Sequence, residues 1–139
     1  MDTKIYTVDL SILLTPVANP QCKISIGDQL QELSLVEPTW IDLQLQGSGP
    51  MQLVIEHHGK RNHDPTTALI IEEIKFDDIS NPRFVWEGIY RPSYPYHMSG
   101  DEVLKYHSYL GWNGIWTLDF SLPIYTWMHQ IENLGWIYD

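Results

Sequence analysis

The chain has a single cysteine, Cys22, among its 139 residues. No intramolecular disulfide can form, which excludes a small scaffold held by bridges and leaves a buried, inert thiol as the ordinary expectation. Long apolar runs are missing as well, since nothing approaches the roughly 18 residues that a membrane-crossing helix needs. The first residues, Met1-Asp2-Thr3-Lys4, carry an acid and lead into alternation rather than a signal-peptide core. A soluble protein with no membrane partner is expected. Basic side chains are scarce, eight Lys and Arg against eighteen Asp and Glu, for a formal charge of −10. A phosphate backbone would meet net repulsion, so nucleic acid is not an expected partner. Catalytic signatures are also wanting: there is no Gly-x-Ser-x-Gly elbow, Walker loop, dinucleotide glycine fingerprint or His-Glu-x-x-His helix. The expectation is a non-enzymatic protein without a cofactor.

What is present is alternation. From Tyr6 the apolar residues Tyr6, Val8, Leu10, Ile12 and Leu14 take every second position, the period of a half-buried strand, and Pro16 is expected to stop it. A short run over 23–26 ends at Gly27-Asp28, and 29–36 fits either a strand or a helical turn. Residues 40–78 hold three further runs. Ile41, Leu43 and Leu45 read as one strand, Gly47-Ser48-Gly49-Pro50 as a turn, and Met51, Leu53 and Ile55 as its hairpin partner in a meander. In the third run, Ala68, Ile70, Glu72, Ile74 and Phe76 share one parity and Leu69, Ile71 and Glu73 the other. Both faces are partly apolar, so a central strand covered on both sides is expected.

Strands are also expected over 83–90, 104–109 and 115–122, with a long Pro-containing loop at 91–100. Ile124, Trp127, Met128, Ile131 and Leu134 keep helical spacing between Pro123 and Gly135, which predicts a short C-terminal helix; an extended chain is the alternative there. About eight short strands with closely spaced turns predict one all-β domain over 1–139. Its form is an antiparallel β-sandwich, jelly-roll or Greek-key, with a barrel as the alternative.

Candidate contact residues come from two stretches. Six Trp and eight Tyr stand against three Phe, concentrated after residue 84. Such rings pair a large apolar face with one polar atom and suit sugar stacking or protein interfaces as well as cores. Trp86, Tyr90, Tyr94, Tyr96 and Trp112 are therefore expected to touch a ligand or partner. The block at 56–65 adds His57 and His58, beside Lys60 and Arg61, as a further candidate contact. Its imidazoles, with His63 and Asp64, match no zinc spacing, and a hydrated loop tip is the plainer reading. Glu72-Glu73 and Asp77-Asp78 lack a calcium-loop spacing and read better as strand and turn. No metal is expected.

The runs at 43–55 and 68–76, strand, turn, strand, loop and a strand ending in an acidic turn, resemble the core of jelly-roll carbohydrate-binding modules. They also resemble small β-sandwich accessory proteins of bacteriophage particles, and the phrases at 84–90 and 111–120 are similar to those of phage proteins. The second resemblance implies a structural component of a virion or similar assembly, acting through a protein partner or as a homo-oligomer. The first implies a lectin-like module with a glycan partner. Neither carries over a site residue.

Overall fold

The computed structural model describes residues 4–61, 64, 66–94, 100, 102–105 and 108–136. The chain forms an antiparallel sandwich of two sheets. β1 (Tyr6–Val17), β4 (Thr39–Gly47), β6 (Ala68–Phe76), β7 (Ile79–Ser80) and β10 (Tyr109–Leu110) make the first, in the order β10-β6-β1-β4, with β7 also on β6. The second runs β3-β2-β5-β11-β8-β9 and contains β2 (Gln21–Ile26), β3 (Gln29–Ser34), β5 (Gly49–His58), β8 (Ile89–Pro92), β9 (Leu104–Lys105) and β11 (Gly114–Leu122). Two helices, α1 (Arg83–Trp86) and α2 (Ile124–Trp136), complete the fold.

Alternation does what its period demands. Val8, Leu10, Ile12 and Leu14 of β1, Ile41, Leu43 and Leu45 of β4, and Leu53 and Ile55 of β5 are all buried between the sheets. Each removes an apolar side chain from water, at roughly 1.5–3 kcal/mol apiece. β1 is longer than expected, because it passes through Pro16. Beyond Leu14 it has run past the start of β4 and pairs only with β6, so a residue without an N–H is tolerated there.

Four expectations are corrected. β4 and β5 are not hairpin partners: β4 pairs with β1, while β5 pairs with β2 and β11. Residues 47–50 therefore form an arch that carries the chain from one sheet to the other, with Gly49 at φ +81°. The two apolar faces of β6 have another cause than double cover. The β1–β6 register slips between Leu13 and Leu14, so that Glu73 and Ile71 are paired and Glu72 is left as an extra, exposed residue. That bulge inverts the parity: Ile74 and Phe76 point inward on one side of it, and Leu69 and Ile71 on the other.

The run at 83–90 is not one strand. The Asn81 carboxamide oxygen accepts the Arg83 N–H at 2.9 Å, and α1 makes a single helical turn before β8 begins. The run at 104–109 is divided as well, β9 joining one sheet and β10 the other. The C-terminal helix forms as predicted. Trp127 of α2 meets Phe76, Phe84 and Phe120 with ring centroids 5.7, 5.6 and 6.0 Å apart, and this aromatic cluster seals one margin of the core.

Candidate functional site

Four of the predicted contact residues converge at the end of the sandwich where β5 finishes and β11 begins. His57 is opposite Gly114, which in turn is opposite Pro92. Tyr90 is buried below the 111–113 turn. Its hydroxyl donates to the Trp112 carbonyl and accepts the Trp112 N–H at 3.1 Å, which fixes the turn from beneath. Burial pushes the Tyr90 phenol up to about 12, so it remains a neutral donor at ordinary pH.

Asn113 completes this clamp. Its carboxamide accepts the Lys60 N–H and donates to the Lys60 carbonyl, both at 2.8 Å. The Lys60 ammonium lies 4.6 Å from the centre of the Trp112 ring and donates to the Gly111 carbonyl at 2.5 Å. Partial burial lowers the Lys60 pKa, with Asp64 opposing the shift. Tyr94 meets Trp112 edge-to-face at 6.2 Å.

His57 is fully buried and its Nδ1 donates to the Leu110 carbonyl at 2.9 Å. Burial lowers its pKa, so the ring is neutral there. Asp64 accepts the N–H groups of Thr66 and Thr67 and the Thr67 hydroxyl, bonds that hold its carboxyl at about 2. The remaining candidates are not part of these contacts among the described residues. His58 is half-buried and opposite Gln21, Trp86 is exposed on α1, and Tyr96 and His63 fall outside the described residues.

Among the described residues these contacts join Tyr90, Trp112, Asn113, Lys60 and Tyr94 in one network. Tyr90 is a core residue and His57 a buried prop. The Lys60 ammonium covers one face of the Trp112 indole.

A feature of the other kind lies at the opposite end, where the β2–β3 turn approaches the arch between β4 and β5. A cleft of about 790 Å³ is lined by Ser25, Asp28, Gln29, Gln44, Gln46 and Gln52, with Leu45, Met51 and Val54 as its apolar part. That volume lies in the range of ligand pockets, roughly 300–1,000 Å³. Gly27 at φ +56° with Asp28 makes the two-residue turn that presents the Asp28 carboxylate. Gln29 donates to the Gln44 carbonyl at 2.9 Å, tying the turn to β4. Gln52 donates to Asp119 at 2.9 Å and keeps its amide oxygen available. Among the described residues no protein group bonds the side-chain amides of Gln44 and Gln46.

No single-residue signal in the sequence marks this cleft. Gln44, Gln46 and Gln52 are outward positions of two alternating strands that lie in different sheets, and all three border the cleft beside the arch.

Two solved structures resemble the chain in shape, and both are of vCBM60. One, in complex with galactobiose, has a TM-score of 0.54 and 10% identity and covers 79% of this chain and 96% of its own. The chain shares its fold with vCBM60. The second, a selenomethionine form of vCBM60, has a TM-score of 0.53 and 10% identity over 80% of this chain and 89% of its own. It is described with circular permutation as an evolutionary link between two families of calcium-dependent carbohydrate-binding modules. No family model matches the chain, and no curated protein matches it in sequence.

Calcium, which that description associates with vCBM60, does not fit the described donors. No three His, Cys, Asp or Glu among the described residues are placed to hold a metal. Asp64 is committed to its own loop, and Asp77 accepts the Asp9 N–H at 2.8 Å and the Tyr125 hydroxyl at 3.0 Å. Among the described residues no helix is long and apolar enough to cross a membrane.

Proposed function

We propose that this chain is a non-catalytic carbohydrate-binding module and that its sugar site is the cleft between the β2–β3 turn and the β4–β5 arch. The observation that carries the reading is the amide lining. A carboxamide donates through nitrogen and accepts through oxygen, so one glutamine can bond two neighbouring hydroxyls, and a sugar offers hydroxyls in adjacent pairs. Gln44 and Gln46 supply free amides, Gln29 and Gln52 supply amide oxygens, and Asp28 accepts. Met51 and Val54, both partly exposed, offer apolar surface for the C–H side of a ring. The shared fold with a galactobiose-bound structure supports the reading at the level of the scaffold.

Calorimetric titration against a panel of oligosaccharides that includes galactobiose, with and without calcium, is the test. Binding that the double variant Gln44→Ala/Gln46→Ala weakens by about tenfold or more, some 1.4 kcal/mol, is expected. Both side chains are exposed, so the variant should keep its fold. No binding to any glycan under either condition would end the proposal.

Protein association is the second reading. Ile79, beside the Asp77 turn, Tyr125, whose hydroxyl donates to Asp77, and Trp86 on α1 are exposed to 41%, 57% and 49%. Sedimentation equilibrium distinguishes it, since a monomer at all concentrations argues against self-association through this margin. The comparisons give no support to a virus-particle assignment.

A further inference from the structure

We infer that the cleft is a charge filter, accepting neutral glycans and rejecting those that bear uronate or sulfate groups, with Asp28 as the specificity-determining residue. The inference rests on the sugar-binding reading above and adds the class of sugar. Its basis is the distribution of charge around the cleft. Among the described residues the lining contains one ionisable side chain, Asp28, and that one is an acid. Asp119 stands behind Gln52 through their 2.9 Å hydrogen bond and adds a second negative charge close by.

Two cations near this end each have an acid or a ring beside them. Lys23 pairs with Glu32 at 3.5 Å, and Lys4 lies 5.3 Å from the centre of the Tyr6 ring. Neither lines the cleft.

The most basic stretch of the chain is too far away to help. Lys60 and Arg61 follow the last residue of β5, and Arg91 is opposite Ile115 near the same end. The cleft takes Pro50, Met51 and Gln52 from the first residues of that strand. Ten residues of extended chain separate the ends by roughly 30 Å. At physiological salt a charge is screened over about 8 Å, so these cations add little to the potential in the cleft, where Asp28 and Asp119 are the near acids.

A carboxylate or sulfate on the ligand would lose water and face a like charge, with no cation among the described lining residues to pair with. A neutral sugar pays neither penalty and can give a hydroxyl proton to Asp28. Selectivity then comes from repulsion of the wrong ligand as much as from attraction of the right one.

The experiment is a glycan array of neutral glycans and their uronic-acid and sulfated counterparts, followed by calorimetric titration of each pair that responds, for the wild type and Asp28→Lys. The neutral member should bind about tenfold or more tightly than its acidic counterpart, and Asp28→Lys should narrow or invert that ratio. Equal or tighter binding of the acidic member, or an unchanged ratio in Asp28→Lys, overturns the charge filter and leaves the sugar-binding reading standing. Binding to no glycan of either kind overturns both. The variant places its new side chain in an exposed turn, and a thermal melt on the same sample confirms the folded state.

Discussion

Single residues decide how the loops at the aromatic end are held. Tyr90→Phe removes the donor to the Trp112 carbonyl and the acceptor of its N–H, a loss expected to cost about 1–3 kcal/mol by urea denaturation. Gly88 is a stricter case: a Cβ there would lie 2.0 Å from Trp116 Cζ2, in the middle of a fully buried indole. Gly88→Ala should therefore destabilise by about 3 kcal/mol or more, measured in the same way. His57 contributes a pH dependence. Its folded pKa lies below the ordinary 6.5, so the unfolded chain binds the extra proton first. Stability is full above about 6.5 and is lost as pH falls below it towards the folded pKa. Urea midpoints measured from pH 7.5 to 5 should fall for the wild type and fall less for His57→Gln. Asp64 acts in a separate window, from its ordinary 3.8 down to about 2, so the two effects can be resolved.

Elements show where pattern succeeds and where it fails. Removing Trp127 from α2 should cost about 3–5 kcal/mol by the same denaturation assay, because the ring meets three others at the margin of the core. That helix was legible because its spacing belongs to one face and to no other. β1, β4 and β11 were legible for the same reason at period two. β6 was misread in its facing, since a bulge at Glu72 inverts the parity and a bulge has no marker in composition. α1 was missed because four residues are too few for a period, and only Asn81-Pro82 announces it. The acidic turn was read correctly as a turn, and its geometry explains the residues. Asp77 and Asp78 both have positive φ, as a tight hairpin turn requires, and the Asp77 carboxylate ties β1 to α2. Asp77→Ala should lower the melting temperature, whereas Asp78→Gly, which relieves the backbone, should hold or raise it.

For the whole molecule, the partner of each strand mattered more than the strands themselves. The alternation of 41–45 and 51–55 is real, yet pairing depends on which neighbour each strand finds, and the arch at 47–50 sends them to different sheets. Aromatic content drew attention to Trp112, Tyr90 and Tyr94, and the fold does gather them. It uses them to lock its loops, with Lys60 laid on the indole. The cleft was illegible because its glutamines look like ordinary solvent-facing positions until the arch folds. A negatively charged sandwich thus has its strongest basic block at one end and its open, amide-lined cleft at the other.

The location of sugar binding is the central claim, and an NMR titration tests it most directly. Uniformly 15N-labelled protein is titrated with a neutral oligosaccharide from the responding panel, and the backbone and side-chain amide signals are followed. The account predicts shifts in the side-chain amides of Gln44, Gln46 and Gln52 and in the backbone of Gly27 and Asp28, with Lys60 and Trp112 unmoved. Shifts confined to Lys60, Trp112 and Tyr94, or none at saturating sugar, would contradict it.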